Sequence, residues 1–237
     1  STLDTYNAKT DFTQIDLDIH KNINLHDNLE ISRSVINTEE NDSCTLLVYP
    51  CGYTKKSTNT DWKETHIGTA LSTIIMADKF FDQLRTREQL GYTTYMSHTF
   101  FDSIFNSLSA IVFVIQSNVK DPNYLDEQMM NFIHDYYTNT MSHFTETEFN
   151  KHKDTLIKKL EKPHNNLLSE VSFDFTIIEE GDYVFDSKTQ LINRLESYSL
   201  YEFITFFSNN IIKKTPTKVK VYGNKYMDEY NKLFSSE

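Results

Sequence analysis

Cysteine, glycine, proline and tryptophan are all scarce in this 237-residue chain, at two, five, four and one copies. Two cysteines do not make a disulfide-stapled scaffold. They bracket Thr45-Leu46-Leu47-Val48-Tyr49-Pro50, which reads as a buried strand. Seven extended residues span about 23 Å, and a disulfide needs Cα atoms within about 7 Å, so Cys44 and Cys51 stay unpaired while that strand is intact. Unpaired thiols suit a reducing, cytoplasmic compartment, and neither has a basic neighbour that would make it reactive. No low-complexity linker interrupts residues 12 to 225. The chain is therefore read as one domain over 12–237, preceded by a polar segment, 1–11, expected to be frayed. No 15-residue apolar run and no cleavable signal are visible, so this stretch encodes neither membrane insertion nor secretion. Positive charge is also in the minority: 23 Lys and Arg against 34 Asp and Glu leave a formal charge of −11. That balance argues against nucleic-acid binding, which needs clustered cations to neutralise phosphates. It is compatible with basic peptide substrates or a basic partner domain.

What is present is aromatic and aliphatic: 38% hydrophobic residues, with 17 Phe and 14 Tyr, enough for a sizeable core. Ile15, Leu17 and Ile19 alternate, as do Leu29, Ile31 and Val35, and each set reads as a half-buried strand. Cys44 to Tyr49 makes a third, and Gly52 to Asp61 a loop. The spacing of Ile67, Leu71, Ile74, Ile75, Phe81 and Leu84 predicts a long helix over about 61–90. A hairpin follows, with strands from Tyr92 and from Leu108 to Gln116 around a turn near 102–107. Asp121-Pro122 starts a helix with a cap and a first-turn proline, whose face is Leu125, Met129, Phe132, Ile133, Tyr136 and Tyr137. Thr145 with Glu148 and Ser199 with Glu202 form capping boxes, with Phe144/Phe149 and Tyr198/Phe203 as hydrophobic staples. The first of these helices ends before Pro163. Leu168, Val171, Phe175 and Ile178 mark another helix, closed by Gly181. Pro216 ends the helical block, and Val219 to Tyr222 is a closing strand. This segregation predicts an α+β fold, a mainly antiparallel mixed sheet with helices packed on one face.

The stretch Leu84-Arg85-Thr86-Arg87-Glu88-Gln89-Leu90-Gly91-Tyr92 joins the first helix to the hairpin. Gly91 is where a left-handed helix cap is expected, and Tyr92-Thr93-Thr94-Tyr95 has strand chemistry. Arg85 and Tyr92 then flank a corner from which both can face one cleft. A helix end with basic residues complementing the dipole, followed by a strand-starting tyrosine, fits the same letters.

These residues carry a resemblance. The run from Phe80-Phe81 through LRTREQLGY is similar to a segment in the C-terminal half of the pitrilysin/insulinase family of zinc metallopeptidases. Phe113-Val114-Ile115-Gln116-Ser117 with Pro122 to Leu125, Phe144 to Phe149, and Lys158 to Pro163 resemble later segments of that family, in the same order. The similarity runs from about Phe80 to about Tyr222.

The resemblance implies repeated domains with helices on one face of a mainly antiparallel sheet. It also implies that this chain is a C-terminal, non-zinc-binding domain that closes a chamber and positions peptide. Its partner would be the N-terminal, zinc-bearing half of the same protein. Arg85 and Tyr92 match residues that reach across the closed chamber to the scissile peptide. On that basis Tyr92 is assigned oxyanion or backbone donation and Arg85 substrate positioning. Zinc ligands in the family lie on an inverted His-Xaa-Xaa-Glu-His motif. None of the eight histidines here begins or ends one; His143 has Glu146 at the right spacing but Thr147 where the second histidine belongs. Zinc is thus expected in the full-length enzyme, no metal on this chain, and no proteolysis by the fragment alone. Lys158, Lys159 and Lys162 resemble a basic cluster near an anion site in some relatives. His164-Asn165-Asn166 replaces the lysines that would extend it, so a solvated helix face is the better reading. Gln89 and Thr86 can brace the corner or simply pack. Some members of the family serve as non-catalytic peptide-binding or scaffold partners, and that alternative stays open.

Overall fold

In a computed structural model the residues described are 29–37, 39–54, 62–102, 107–179 and 183–233. The expected strand at Ile15 to Ile19, the frayed segment 1–11, the turn tip 103–106 and the closing Gly181 lie outside them. Two strands lead: β1 (Glu30–Ser34) and β2 (Ser43–Tyr53). The helix α1 (Trp62–Phe81) runs into a π-helical turn, Asp82–Arg87, and then comes the hairpin β3 (Thr93–Asp102) and β4 (Ser107–Ser117). A helical block follows: α2 (Pro122–Asn139), α3 (Glu146–Glu161), α4 (Leu167–Glu179), α5 (Ser187–Glu196) and α6 (Leu200–Phe207). The chain closes with β5 (Thr217–Tyr222) and α7 (Met227–Lys232).

Among the described residues five strands form one sheet in the order β1-β5-β2-β4-β3. Only β1 and β5 run parallel; the pairs β2–β5, β2–β4 and β3–β4 are antiparallel. The expected mixed, mainly antiparallel sheet is what forms. Alternation along the strands assigns the faces. Leu47, Tyr49 and Cys51 of β2, Ile111, Phe113 and Ile115 of β4, and Met96 of β3 join a core with α1, α2, α3, α5 and α6. The Phe80 ring meets Phe113 and Phe132 edge-on, each at 5.3 Å between centroids, so sheet, α1 and α2 share one contact. Val48, Ala110 and Val112 form a second, smaller cluster with Leu46 and Phe101.

The local signals for helix starts hold. Asp121 accepts hydrogen bonds from the N–H groups of Asn123 and Tyr124, with Pro122 in the first turn. Thr145/Glu148 and Ser199/Glu202 make reciprocal capping boxes. Phe144 stacks its ring on His152, while Phe149 stacks on Phe203.

Two face assignments differ from the sequence reading, and one pair of lysines has an orientation it did not address. Phe81 is 43% exposed and Phe80 is the buried partner, because the π-turn after Phe81 winds more than 3.6 residues per turn and re-phases the apolar stripe. In α4 the predicted face of Leu168, Val171, Phe175 and Ile178 points outward, while Ile177 is buried. Phe173 leans on the His164 ring at 5.2 Å. This helix carries apolar residues on nearly every side, so periodicity alone does not select the buried one. Lys218 and Lys220 of β5 turn toward α2, where Asp126 accepts from both, at 2.7 and 3.0 Å. Glu30 and Asn123 complete the shell around Lys220, at 2.9 and 3.0 Å.

Candidate functional site

The corner between α1 and β3 is built by three departures from regular helix. In the π-turn, Glu88 N–H reaches back five residues to the Gln83 carbonyl at 2.9 Å, and Leu90 N–H bonds the Leu84 carbonyl at 2.9 Å. Leu84 and Leu90 are buried and anchor the turn to the core. The left-handed residue is Gln89, at φ 53°, and not Gly91 as the sequence suggests. A polar side chain with solvent around it tolerates that conformation, at a modest cost in strain. Gly91 serves another purpose. A Cβ placed there would lie 2.1 Å from the Gln116 carbonyl oxygen, so only glycine lets the lead-in to β3 press on the end of β4.

Arg85 and Tyr92 both reach the surface, on either side of that corner. The Arg85 guanidinium lies over the Phe81 ring, 5.2 Å from its centroid, which turns the exposed Phe81 into a platform for the cation. Tyr92 is 48% exposed. Its hydroxyl donates to Asp42 Oδ2 at 2.5 Å, and Gln116 Nε2 donates to the same oxygen at 3.1 Å. Hydrogen bonding to Asp42, followed by desolvation and the charges of Asp42, Glu40 and Cys44, pushes the phenol up to about 12. Tyr92 is therefore a neutral hydroxyl across the physiological range.

Among the described residues no hydrogen bond links Arg85 to Tyr92. The structure instead joins Tyr92 to Asp42 and Gln116, neither of which the sequence reading singled out. Gln116 sat inside a matched segment; Asp42 lies 50 residues upstream of Tyr92, in a short acidic turn that gave no periodic signal. That turn is held by its own contacts. Asp42 N–H bonds the Glu40 carboxylate at 2.9 Å, and the Glu40 carbonyl accepts from Asn224 N–H at 2.8 Å. A Cβ on Gly223 would meet the Asn41 carbonyl at 2.3 Å, so the end of β5 sits flush against the same turn.

The other sequence candidates have plain roles. Thr86 and Gln89 are exposed at the corner. Arg87 pairs with Asp82 at 2.8 Å on the surface. Lys158, Lys159 and Lys162 are exposed at the end of α3, as a solvated helix face. His98 bonds Thr73 at 3.2 Å, His164 meets Lys188 Nζ at 3.0 Å, and His66 stacks on Phe100. Burial raises both thiols, Cys51 to about 12. Among the described residues no three His, Cys, Asp or Glu side chains converge as metal ligands, so these residues do not fit a zinc centre. Cavities of about 450 Å³ beside β1 and about 300 Å³ along α6 are lined by other residues. Among the described residues no helix is long and apolar enough to cross a membrane.

Known proteins are similar to this chain in sequence and in fold. A family model described as PQQ synthase PqqF-like, C-terminal lobe domain 4, matches residues 71–173, which include the whole corner from Leu84 to Tyr92. The Arabidopsis thaliana protein named insulin-degrading enzyme-like 1, peroxisomal, is 30% identical over 154 residues, 63% of this chain and 15% of that protein. The chain thus spans a small part of its curated relative. The crystal structure of pitrilysin superposes with a TM-score of 0.66 at 20% identity, over 81% of this chain and 19% of that one. An inactive peptidase domain from Pseudomonas fluorescens gives a TM-score of 0.56 at 9% identity, over 81% of this chain and 42% of that one. The ordered motifs, the one-sided helical sheet and the matched C-terminal-lobe model agree: the chain belongs to the pitrilysin/insulinase family, as a domain of the C-terminal half of such peptidases.

Proposed function

We propose that this domain serves an insulinase-like zinc metalloendopeptidase by closing its chamber and positioning the peptide substrate. The observation that carries the reading is the exposed corner, where Tyr92 and Arg85 stand at the surface inside the family-matched segment. A neutral phenol is suited to donate to a peptide carbonyl, whose oxygen gains negative charge as the bond is attacked. The Arg85 guanidinium offers a planar fork to a second carbonyl or a carboxylate. Zinc would be held by the N-terminal half of the same polypeptide, where it would supply the activated water.

The remaining parts of the reading follow from composition. The acidic chain favours peptides over nucleic acid. The two free cysteines suit a cytoplasmic setting. One sheet that uses both β1 and β5 supports treating 12–237 as a single domain. A second reading is a non-catalytic peptide-binding or scaffold partner, favoured by the likeness to an inactive peptidase domain.

The test uses the longer polypeptide that carries this domain and a fluorogenic reporter peptide. Tyr92→Phe is expected to lower turnover by about 100-fold or more and to leave the melting temperature in place. The 237-residue chain alone is expected to hydrolyse nothing, with or without zinc. Turnover unaffected by Tyr92→Phe, or a melting temperature that falls in step with activity, refutes the donor role. A longer polypeptide with no chelator-sensitive turnover establishes the scaffold reading instead.

A further inference from the structure

A phenol has a single proton to donate, and in this structure the Tyr92 proton is already committed. The 2.5 Å separation between its oxygen and Asp42 Oδ2 is at the short end for a hydroxyl on a carboxylate. While that bond lasts, the Tyr92 oxygen can accept a hydrogen bond but cannot give one to a substrate carbonyl. The carboxylate is not a loose surface group. Gln116 holds the same oxygen, and the turn bearing Asp42 is tied through Glu40 to Asn224 at the end of β5. Tyr92 is fixed from the other side by the contact of Gly91 with the Gln116 carbonyl. Donor and acceptor are thus registered by one sheet, the phenol through the lead-in to β3 and the carboxylate through the lead-in to β2.

We propose that Asp42 is a positioning residue that competes with substrate for the Tyr92 proton. In the resting domain it turns the hydroxyl onto the protein, and a peptide carbonyl gains the donor only by displacing the carboxylate. This rests on the reading of Tyr92 as a substrate-facing donor. It adds a control element fifty residues away in sequence, and it predicts a gain of function on removal. A residue that merely braced the corner would give a loss.

The experiment has two arms. In the first, the Tyr92 ring of this chain is labelled with carbon-13 at Cζ and titrated by NMR. The wild-type ring is expected to ionise near 12, and Asp42→Ala to bring it down toward the ordinary value of about 10. An unchanged titration in the variant shows that the bond is not made and overturns the proposal. In the second, the longer polypeptide is assayed on the reporter peptide. Asp42→Ala is expected to raise kcat/KM by roughly 3- to 10-fold, the worth of one competing hydrogen bond. Asp42→Asn, of equal size but a weaker acceptor, should give a smaller rise. In a Tyr92→Phe background both effects should vanish. A fall in kcat/KM, no change, or the same change in that background each overturns the proposal. If Tyr92→Phe alone leaves turnover intact, the donor role fails, and the NMR arm still decides whether Asp42 holds the phenol.

Discussion

Gly91→Ala tests the corner with a single methyl group. Gly91 is not among the residues with left-handed φ, so alanine suits its backbone and the whole effect is steric. The added carbon would sit 2.1 Å from the Gln116 carbonyl oxygen and 2.9 Å from Ile115 Cγ2. Even close carbon–oxygen contacts are about 3.3 Å, so the chain must retreat by roughly 1.2 Å. The obstacle is backbone in β4, which is bonded on both sides to β2 and β3 and cannot yield alone. Overpacking of this kind costs about 1–3 kcal/mol. With a urea dependence of about 2 kcal/mol per molar, the unfolding midpoint should fall by roughly 0.5–1.5 M. Trp62, the only tryptophan and a buried one, reports the transition by fluorescence. The same retreat would stretch the 2.5 Å bond from Tyr92 to Asp42 beyond hydrogen-bonding range, and the phenol should titrate nearer its ordinary value. A midpoint equal to wild type, together with an unchanged Tyr92 titration, would refute the claim that this close approach sets the corner.

Two further perturbations probe the frame that carries the site. Asp126→Ala leaves Lys218 and Lys220 facing α2 without their shared carboxylate, and should cost about 3 kcal/mol, the low end for breaking a buried pair because Lys218 keeps some access to water. Replacing all three by apolar residues should restore most of that loss in urea melts; a single variant as stable as wild type would disprove the pairing. Bonds from Ser199 N–H and hydroxyl, helped by Arg194 against partial desolvation, hold Glu202 down at about 2. A depressed carboxylate contributes stability above its unfolded value of about 4.3 and loses it as pH falls from there toward 2. Glu202→Gln should therefore reduce the melting temperature at pH 7 and narrow the difference between pH 7 and pH 3. An equal drop at both pH values would mean that the charge does not matter.

The features legible in the sequence are those whose partners are close along the chain. Asp121 with Pro122, Thr145 with Glu148 and Ser199 with Glu202 act within three residues, and each helix begins where those letters place it. The hairpin was readable because alternation and a short turn suffice to register β3 on β4. Arg85 and Tyr92 were found through ordered resemblance, and the fold leaves both exposed. Asp42 was not found, because its significance comes from the pairing of β2 with β4, which brings Asp42 and Gln116 together at the end of that strand pair.

The sequence by itself determined where helices start, which segments alternate, and the family to which their order belongs, since these depend on local hydrogen bonding and side-chain spacing. Only the tertiary structure decided which side of α4 is buried, that Lys218 and Lys220 point inward to Asp126, and that Gln89 turns left-handed so that Gly91 can press on Gln116. Those outcomes are settled by which surfaces meet. A helix apolar on every side, or a carboxylate fifty residues from its phenol, acquires an orientation only when the sheet has brought its neighbours into place.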